Sequence, residues 1–274
     1  MRTIYEALKT RILLSDGASE KMWADLDQGS DVPELLNITR PEAVRRRHEV
    51  QLKAGTDVIH TNSFGAFPLD LAGTDLAEEA FVINHLAAEI AARAVDSIPG
   101  AGRRRFVVGV IQTDNSDAGT DELQAAAALQ AEGLLSGGAD GIAIFLNGPA
   151  ERSLALLRGA LAARDRLASR APVYLYRRGA DNAAVVGADL CDGVITLTRG
   201  RTGGSDWLDG LLDDNRPGLV FGECAPDTAV LDRILRSRAP DGLRPYLDRP
   251  NRAAEDNFMP ASSSRRFPQA QGIA

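Results

Sequence analysis

The chain has little of what would cross-link it or bind a metal through a short motif. Of its 274 residues, two are cysteine and three are histidine. Two cysteines exclude a disulfide framework. No CxxC, HExxH or HxH spacing occurs, so spacing alone does not predict a catalytic zinc. No G-x-G-x-x-G follows the first predicted strand, which argues against a dinucleotide-binding sheet.

Long apolar runs and an excess of basic over acidic residues are also missing. No segment approaches the roughly 20 apolar residues that span a membrane. Charges interrupt residues 1–17, which predicts that this segment is not a signal peptide. The net charge of −7 argues against binding the phosphate backbone of nucleic acids. We therefore predict a cytoplasmic protein whose partner is a small-molecule substrate rather than a membrane or a nucleic acid.

What the sequence does contain is an alternation of short apolar runs with helical patterns. The runs are rich in β-branched residues, as in strands buried on both faces of a parallel sheet. Strands are predicted at residues 12–15, 57–61, 106–111, 141–146, 173–176, 193–197 and 218–222. Helices are predicted at residues 41–54, 75–95, 121–136, 150–168, 205–213 and 226–237. Thr39 and Glu42 have the spacing of a capping box at the start of the first helix.

This order predicts an α/β fold, a (β/α)8 TIM-type barrel over residues 1–239. Seven strand candidates are one fewer than that barrel needs, so we expect it to be irregular or to miss a unit in its C-terminal half. A doubly wound open sheet is the alternative. Residues 240–274 are rich in Pro, Arg, Ser and Asn without periodicity, which predicts an extended tail. The tail either has no partner or contacts a second copy or a partner subunit.

In a barrel of this kind, the residues that follow the strands carry function. Asp16 follows the first predicted strand, and His60, Thr61 and Asn62 lie at the end of the second. We predict that these four residues bind substrate. Asp16 has an alternative interpretation as a turn cap, Asn62 as a loop tie, and His60 as a satisfied structural histidine.

The last predicted strand leads into the segment GLVFGECAPDT, residues 218–228. Glu223 and Cys224 follow that strand and precede a helix, so we predict that they are catalytic. Cys224 is also a weak candidate metal ligand. Cys191 precedes a strand, which predicts a position at the opposite end of the barrel.

Three segments share their order and spacing with a known family: ILLSDGA (12–18), PELLNITRPEAVRRRHEVQLKAGTDVIHTNSFGAFPLDL (33–71) and GLVFGECAPDTAVLDRI (218–234). Together they resemble the homocysteine S-methyltransferase family, which includes betaine–homocysteine methyltransferase and the homocysteine-binding module of cobalamin-dependent methionine synthase. The resemblance implies a (β/α)8 barrel. It also implies a zinc ion, held by three cysteines, that keeps the homocysteine sulfur as a thiolate for attack on an activated methyl group.

The family's functional positions are kept unevenly. The resemblance aligns Asp16 with the family's first aspartate. It aligns Phe145 with a glutamate that holds the substrate amino group, and Arg199 with the first zinc cysteine. Glu223 and Cys224 align with the paired zinc cysteines, of which one remains. Zinc is therefore disfavoured as a cofactor.

These observations predict a divergent methyltransferase that moves a methyl group between a small methylated donor and a thiol or other small acceptor. It would work without the standard three-cysteine zinc site. One alternative is a non-catalytic barrel that binds a small molecule or serves as a partner subunit. Another is a different reaction on the same scaffold, since fold does not determine function.

Overall fold

The computed structural model describes residues 3–8, 11–17, 23, 26, 32–99, 104–113, 117–146, 148–178, 185–200, 218–222 and 225–237. The predicted catalytic residues Glu223 and Cys224 lie outside this part of the chain. The predicted helix at 205–213 and the predicted tail at 240–274 lie outside it as well.

Seven parallel strands close into a barrel. They are β1 (Leu13–Ser15), β2 (Val58–His60), β3 (Phe106–Ile111), β4 (Gly141–Phe145), β5 (Val173–Arg178), β6 (Gly193–Arg199) and β7 (Gly218–Phe221). Each strand pairs with the next, and β7 pairs with β1 in a register that joins Leu13 to Leu219 and Ser15 to Phe221. The predicted barrel is confirmed, and the open sheet is wrong because the ring has no free edge. The ring closes with seven strands, one fewer than a standard TIM barrel.

Helices connect the strands and cover their outer faces. They are α1 (Ile4–Leu8), α2 (Leu36–Thr39), α3 (Pro41–Lys53), α4 (Pro68–Leu71), α5 (Ala80–Ser97), α6 (Thr120–Ser136), α7 (Ala150–Arg166) and α8 (Ala225–Ser237). Short 3-10 turns occupy Pro33–Leu35 and Ala77–Glu79. Alanine-rich α6 and α7 pack against the outward residues Ile142 and Ile144 of β4.

The capping box predicted before α3 is wrong. The N-cap residue is Arg40, and no side chain caps the helix. Thr39 instead donates its hydroxyl to the carbonyl of Leu35 at 3.1 Å, because it lies in the last turn of α2. Pro41 at the first position of α3 has no N–H to satisfy, which reduces the need for a cap.

Alternate strand residues fill the barrel interior with apolar and aromatic side chains. The interior cluster includes Phe106, Val108 and Val110 from β3, and Tyr174 and Tyr176 from β5. Both tyrosines are fully buried. The interior is therefore a packed core, and ligand sites have to form at its ends.

Three aspartates fasten the amino end of the barrel by the same pair of hydrogen bonds. Each precedes an even-numbered strand, and each exchanges bonds with a residue of the strand before it. Their N–H groups donate to the carbonyls of Leu14 (Asp57, 2.7 Å), Val107 (Asp140, 2.8 Å) and Val173 (Asp192, 2.8 Å). Their carboxylates accept the N–H groups of the same three residues at 3.1, 2.9 and 2.8 Å.

Glycines make two of these connections possible. Gly55 and Gly138 lie two residues before Asp57 and Asp140 and have φ values of 112° and 100°. Side chains rarely adopt this backbone conformation, so glycine is required after the helix ends. The segments AGTD at residues 54–57 and GGAD at residues 137–140 thus end a helix and begin the aspartate contact of the following strand.

We expect Asp140→Ala to lower the free energy of unfolding by about 2 kcal/mol, because it removes a charge-assisted hydrogen bond to the Val107 N–H. The variant also breaks the ion pair with Arg104. Urea unfolding monitored by circular dichroism measures the change. The matched control is Asp165→Ala, whose side chain is 71% exposed and pairs with Arg164; it should change the free energy by less than about 0.5 kcal/mol. Equal effects of the two variants would contradict the role of the carboxylate.

Candidate functional site

The structure brings two of the sequence-predicted residues into direct contact at the carboxyl end of the barrel. Asp16 directly follows β1, and His60 ends the neighbouring strand β2. The His60 Nδ1 lies 2.5 Å from Asp16 Oδ1. The His60 backbone N–H donates to the other carboxylate oxygen at 2.9 Å. Asp16 and His60 are 3% and 1% exposed, so water does not weaken the pair.

The carboxylate determines which nitrogen of His60 carries the proton. An N–H at Nδ1 can donate to Asp16, whereas a lone pair there would face a carboxylate oxygen. In the neutral imidazole, Nε2 then presents a lone pair. This atom is buried and has no hydrogen-bond partner within the described ranges. The pair therefore offers one unpartnered proton acceptor.

A buried tyrosine packs against His60 from across the interior. The rings of His60 and Tyr176 meet edge to face, with centroids 5.6 Å apart. In the part of the chain that the structure describes, the Tyr176 hydroxyl has no hydrogen-bond partner either. Burial, with further contributions from Tyr174 and Asp16, raises the pKa of Tyr176 well above its ordinary value. The hydroxyl stays protonated and can donate a hydrogen bond.

His48, to which the sequence assigned no role, lies close enough to this pair to interact electrostatically with it. Burial lowers the pKa of His48 to about 4; the charge of Asp16 opposes the shift and His60 adds to it. Its ring meets Trp23 edge on, with centroids 5.1 Å apart. A helical pattern could have located this histidine, because it lies four residues after the buried Val44 of α3 and therefore on its inner face.

Thr61 and Asn62, also predicted to bind substrate, lie in the loop after β2 and are tied to the surrounding protein. Thr61 Oγ1 accepts the Val110 N–H at 3.2 Å and lies 2.7 Å from Ser63 Oγ. Asn62 Nδ2 donates to the Pro33 carbonyl at 3.0 Å. These contacts support the loop-tie interpretation of Asn62. Substrate binding by the two residues stays a prediction.

Sequence reasoning missed the side chains that hold this loop from outside. Gln130 Nε2 donates to the Ser63 carbonyl at 2.8 Å and to Asn84 Oδ1 at 3.0 Å. Glu34 accepts the Gly65 N–H at 2.8 Å. Gln130 is fully buried within the alanine-rich helix α6. A lone amide on an apolar helix face is the signal that could have identified it.

Aromatic side chains surround the interior near the Asp16–His60 pair. Phe145, at the end of β4, lies 5.4 Å from Phe64 and 5.5 Å from Tyr176 between ring centroids. A Cβ atom on Gly17 would lie 2.6 Å from the Phe221 ring, and Gly17 has a φ of 81°. Glycine is therefore required directly after Asp16, where β1 lies beside β7.

The described residues do not fit the zinc site that the family resemblance implies. Nowhere among them do three His, Cys, Asp or Glu side chains come together in a way that could hold a metal ion. Arg199, aligned with a zinc cysteine, ends β6 and is exposed. Cys191 is buried before the amino end of β6, and burial raises the pKa of its thiol. We assign no chemical step to zinc.

Across the described ranges, no helix combines the length and the apolar character needed to cross a membrane.

Fold and site together define a parallel βα barrel with a buried acid–histidine pair at its carboxyl end, where barrels of this type carry their sites. A sequence model of the family described as homocysteine S-methyltransferase matches residues 9–241. The chain belongs to the homocysteine S-methyltransferase family.

Individual relatives are similar over a large part of this chain. Methionine synthase of Mycobacterium tuberculosis is 28% identical over 187 residues, which are 63% of this chain and 16% of that protein. Methionine synthase of Mycobacterium leprae is 25% identical over 185 residues, 63% of this chain and 15% of that protein. The chain thus matches about a sixth of the length of these relatives.

A solved structure shows the same fold. The apo form of the homocysteine methyltransferase MmuM from Escherichia coli superposes with a TM-score of 0.63 at 18% identity, covering 82% of this chain and 97% of that one. Its metallated form gives a TM-score of 0.64 at 16% identity, covering 84% and 99%. At these identities the likeness concerns the fold alone.

We expect His48 to make the protein less stable in acid. The unfolded chain protonates His48 below its ordinary pKa of 6.5, whereas the folded protein resists protonation until about pH 4. Stability is therefore full above pH 6.5 and falls as the pH is lowered from 6.5 to about 4, by about 3 kcal/mol from this residue. Urea unfolding at several pH values between 4 and 7 measures the slope.

In His48→Leu, the slope of the free energy of unfolding against pH should decrease by the amount that corresponds to about one proton, whatever the absolute stability of the variant. The matched control is His85→Gln, on the half-buried surface of α5, which should retain the wild-type slope. An unchanged slope in His48→Leu would contradict the burial of a neutral His48.

Proposed function

We propose that this protein transfers a methyl group from a small methylated donor to a thiol or other small acceptor, without the three-cysteine zinc site. The observation that carries the proposal is the buried Asp16–His60 pair at the carboxyl end of a barrel of this family. A protein named a homocysteine methyltransferase has the same fold, so homocysteine is the first acceptor to test.

The charge of Asp16 supports the binding of an amino-acid substrate. His60 donates to both oxygens of the Asp16 carboxylate. The negative charge of this carboxylate attracts an ammonium group, and the attraction is strong in a site that excludes water.

The aromatic lining supports a cationic methyl donor. A methyl group leaves readily from a quaternary ammonium or a sulfonium centre because the leaving group becomes neutral. Faces of aromatic rings attract such cations within about 6 Å. Phe145 and Tyr176, in mutual contact, lie on the interior side next to His60. Phe145 occupies the position at which the family resemblance implies a substrate-binding glutamate. In this protein it would therefore contribute to binding of the methyl donor.

The residue aligned with the first zinc cysteine supports the absence of the zinc site. The exposed guanidinium of Arg199 repels a nearby cation instead of binding it. Glu223 and Cys224 remain our proposed catalytic residues, since they come directly after β7 and Gly222, and β7 lies beside β1 and Asp16.

A non-catalytic barrel, which binds a small molecule or serves as a subunit beside an active partner, is the second candidate function. The observation that favours it is the engagement of both oxygens of Asp16 by His60, which is also what a purely structural pair would show. In that case residues 240–274 would supply the contact with the partner or with a second copy.

We expect the full chain to form methionine from homocysteine and a donor carrying a ¹³C-labelled methyl group. Glycine betaine and a methylsulfonium amino acid test the two donor classes, and carbon NMR identifies the product. Asp16→Asn should lower kcat/KM by about 10²-fold, because it removes the charge beside His60. The control Asp165→Asn, at an exposed position on α7, should retain wild-type activity. Homocysteine binding without turnover by any donor would favour the non-catalytic barrel, and absence of homocysteine binding would contradict methyl transfer to this acceptor.

We expect purified protein to contain well below one zinc ion per chain, and its methyl transfer to survive dialysis against a chelator. Elemental analysis of the protein before and after dialysis, with activity measured on the same samples, provides the test. Cys224→Ala should leave the zinc content unchanged. Stoichiometric zinc that is lost together with activity, or lost in Cys224→Ala, would contradict the zinc-independent site.

A further inference from the structure

We propose that Nε2 of His60 is the proton acceptor that converts the bound thiol to a thiolate, taking the place of the metal in that step. The inference rests on the proposed function and adds the residue that activates the nucleophile. Asp16 is then a positioning residue, which acts through the His60 ring.

The hydrogen bonds of Asp16 orient His60 as this step requires. One carboxylate oxygen binds the Nδ1–H of the ring and the other binds the backbone N–H of the same residue, at 2.5 and 2.9 Å. The ring is thereby held at a fixed rotation. Its Nε2 is directed away from the carboxylate, with the lone pair available. When Nε2 takes a proton, the adjacent negative charge of Asp16 stabilises the imidazolium.

Two unpartnered groups indicate that a ligand belongs beside this pair. A buried polar atom without a hydrogen bond costs free energy, about 1–3 kcal/mol, which a ligand that pairs with the atom would recover. Within the described part of the chain, His60 Nε2 and the Tyr176 hydroxyl are both buried and lack partners, although their rings are in contact. His60 Nε2 is an acceptor and the Tyr176 hydroxyl is a donor. A bound thiol needs both groups, because it loses its proton to the acceptor and the resulting thiolate is stabilised by the donor.

Titratable groups from other elements lie around His60. Asp16 faces it from the end of β1, Tyr176 from β5, and His48 interacts with it from α3. Burial lowers the pKa of His48 to about 4 and raises that of Tyr176, so both are neutral at pH 7. The carboxylate of Asp16 therefore supplies the negative charge next to the imidazole.

The proposed step balances in atoms and charge. The S–H bond of the thiol breaks, its proton moves to His60 Nε2, and the electron pair stays on sulfur. The sulfur pair then forms a bond to the methyl carbon of the ammonium or sulfonium donor. The bond between that carbon and the donor atom breaks, and its electron pair stays on the donor, which becomes neutral. After a thioether has formed, the imidazolium releases its proton to solvent.

The first test compares His60→Gln with His85→Gln, since the chain has three histidines and His85 lies on the half-buried surface of α5. At pH 7, His60→Gln should lose about 10²-fold in kcat/KM for homocysteine, as expected for loss of a general base. The deficit should shrink as the pH approaches the pKa of the free thiol, where the nucleophile no longer needs a base. Asp16→Asn, with its loss of about 10²-fold at pH 7, should show the same pH dependence, and His85→Gln should match the wild type.

The second test uses the unaltered protein and does not depend on turnover. Calorimetric titration with homocysteine at pH 7, in two buffers with different ionisation enthalpies, counts the protons released on binding. A metal-bound thiolate releases close to one proton, whereas transfer to His60 releases close to none. In ¹⁵N-histidine NMR spectra, one imidazole should become an imidazolium when homocysteine binds.

The outcomes separate this inference from the proposed function. Methyl transfer with a wild-type pH profile in His60→Gln would overturn the role of His60 and leave the proposed function standing. If His60→Gln does not fold, the second test decides. Release of a full proton when the wild type binds homocysteine, or unchanged imidazole signals, would overturn the role of His60. Absence of both homocysteine binding and methyl transfer in the wild type would overturn the proposed function and this inference together.

Discussion

The pairing of β7 with β1 is the constraint on which the site depends. It completes the ring of backbone hydrogen bonds, and its register places the chain that leaves β1 next to the chain that leaves β7. Asp16 follows β1 directly, and the chain can pass close to the Phe221 ring because the next residue, Gly17, is a glycine with a φ of 81°. Without this closure, β1 and β7 would be the two free edges of an open sheet.

A second constraint is the cost of placing a charge in a packed interior. A buried carboxylate is tolerated when donors satisfy it. Asp16 receives one donor from the backbone and one from the side chain of His60, both from the neighbouring strand β2. The same bonds that make the charge acceptable also orient the imidazole. At this pair, the stability of the charge and the orientation of the imidazole come from the same two contacts, so neither can be altered without the other.

Much of the fold could be predicted from the sequence, because each strand is a short apolar run and neighbouring strands follow in chain order. All seven predicted strands are present. Asp16 and His60 were each predicted to bind substrate, but the contact between them was not predicted, because the register of two strands is set only in the folded sheet. His48 and Gln130 escaped prediction because one side chain in a helix does not reveal which strand or loop it meets. The capping box predicted before α3 is absent because Thr39 lies in the last turn of α2, which puts Arg40 at the N-cap position.

The two ends of the barrel differ in what their polar residues do. Three aspartates stabilise the strands at the amino end, and the candidate site lies at the carboxyl end. Asp57, Asp140 and Asp192 bond to the backbone of the preceding strands at the amino end of the barrel, whereas Asp16 and His60 lie where β1 and β2 end. Residues at the opposite rim can then change during evolution with little penalty to folding. A lineage with such an anchored scaffold can replace ligands, exchange a carboxylate for an aromatic ring and adopt new chemistry in small steps, each of which leaves a folded protein for selection to act on.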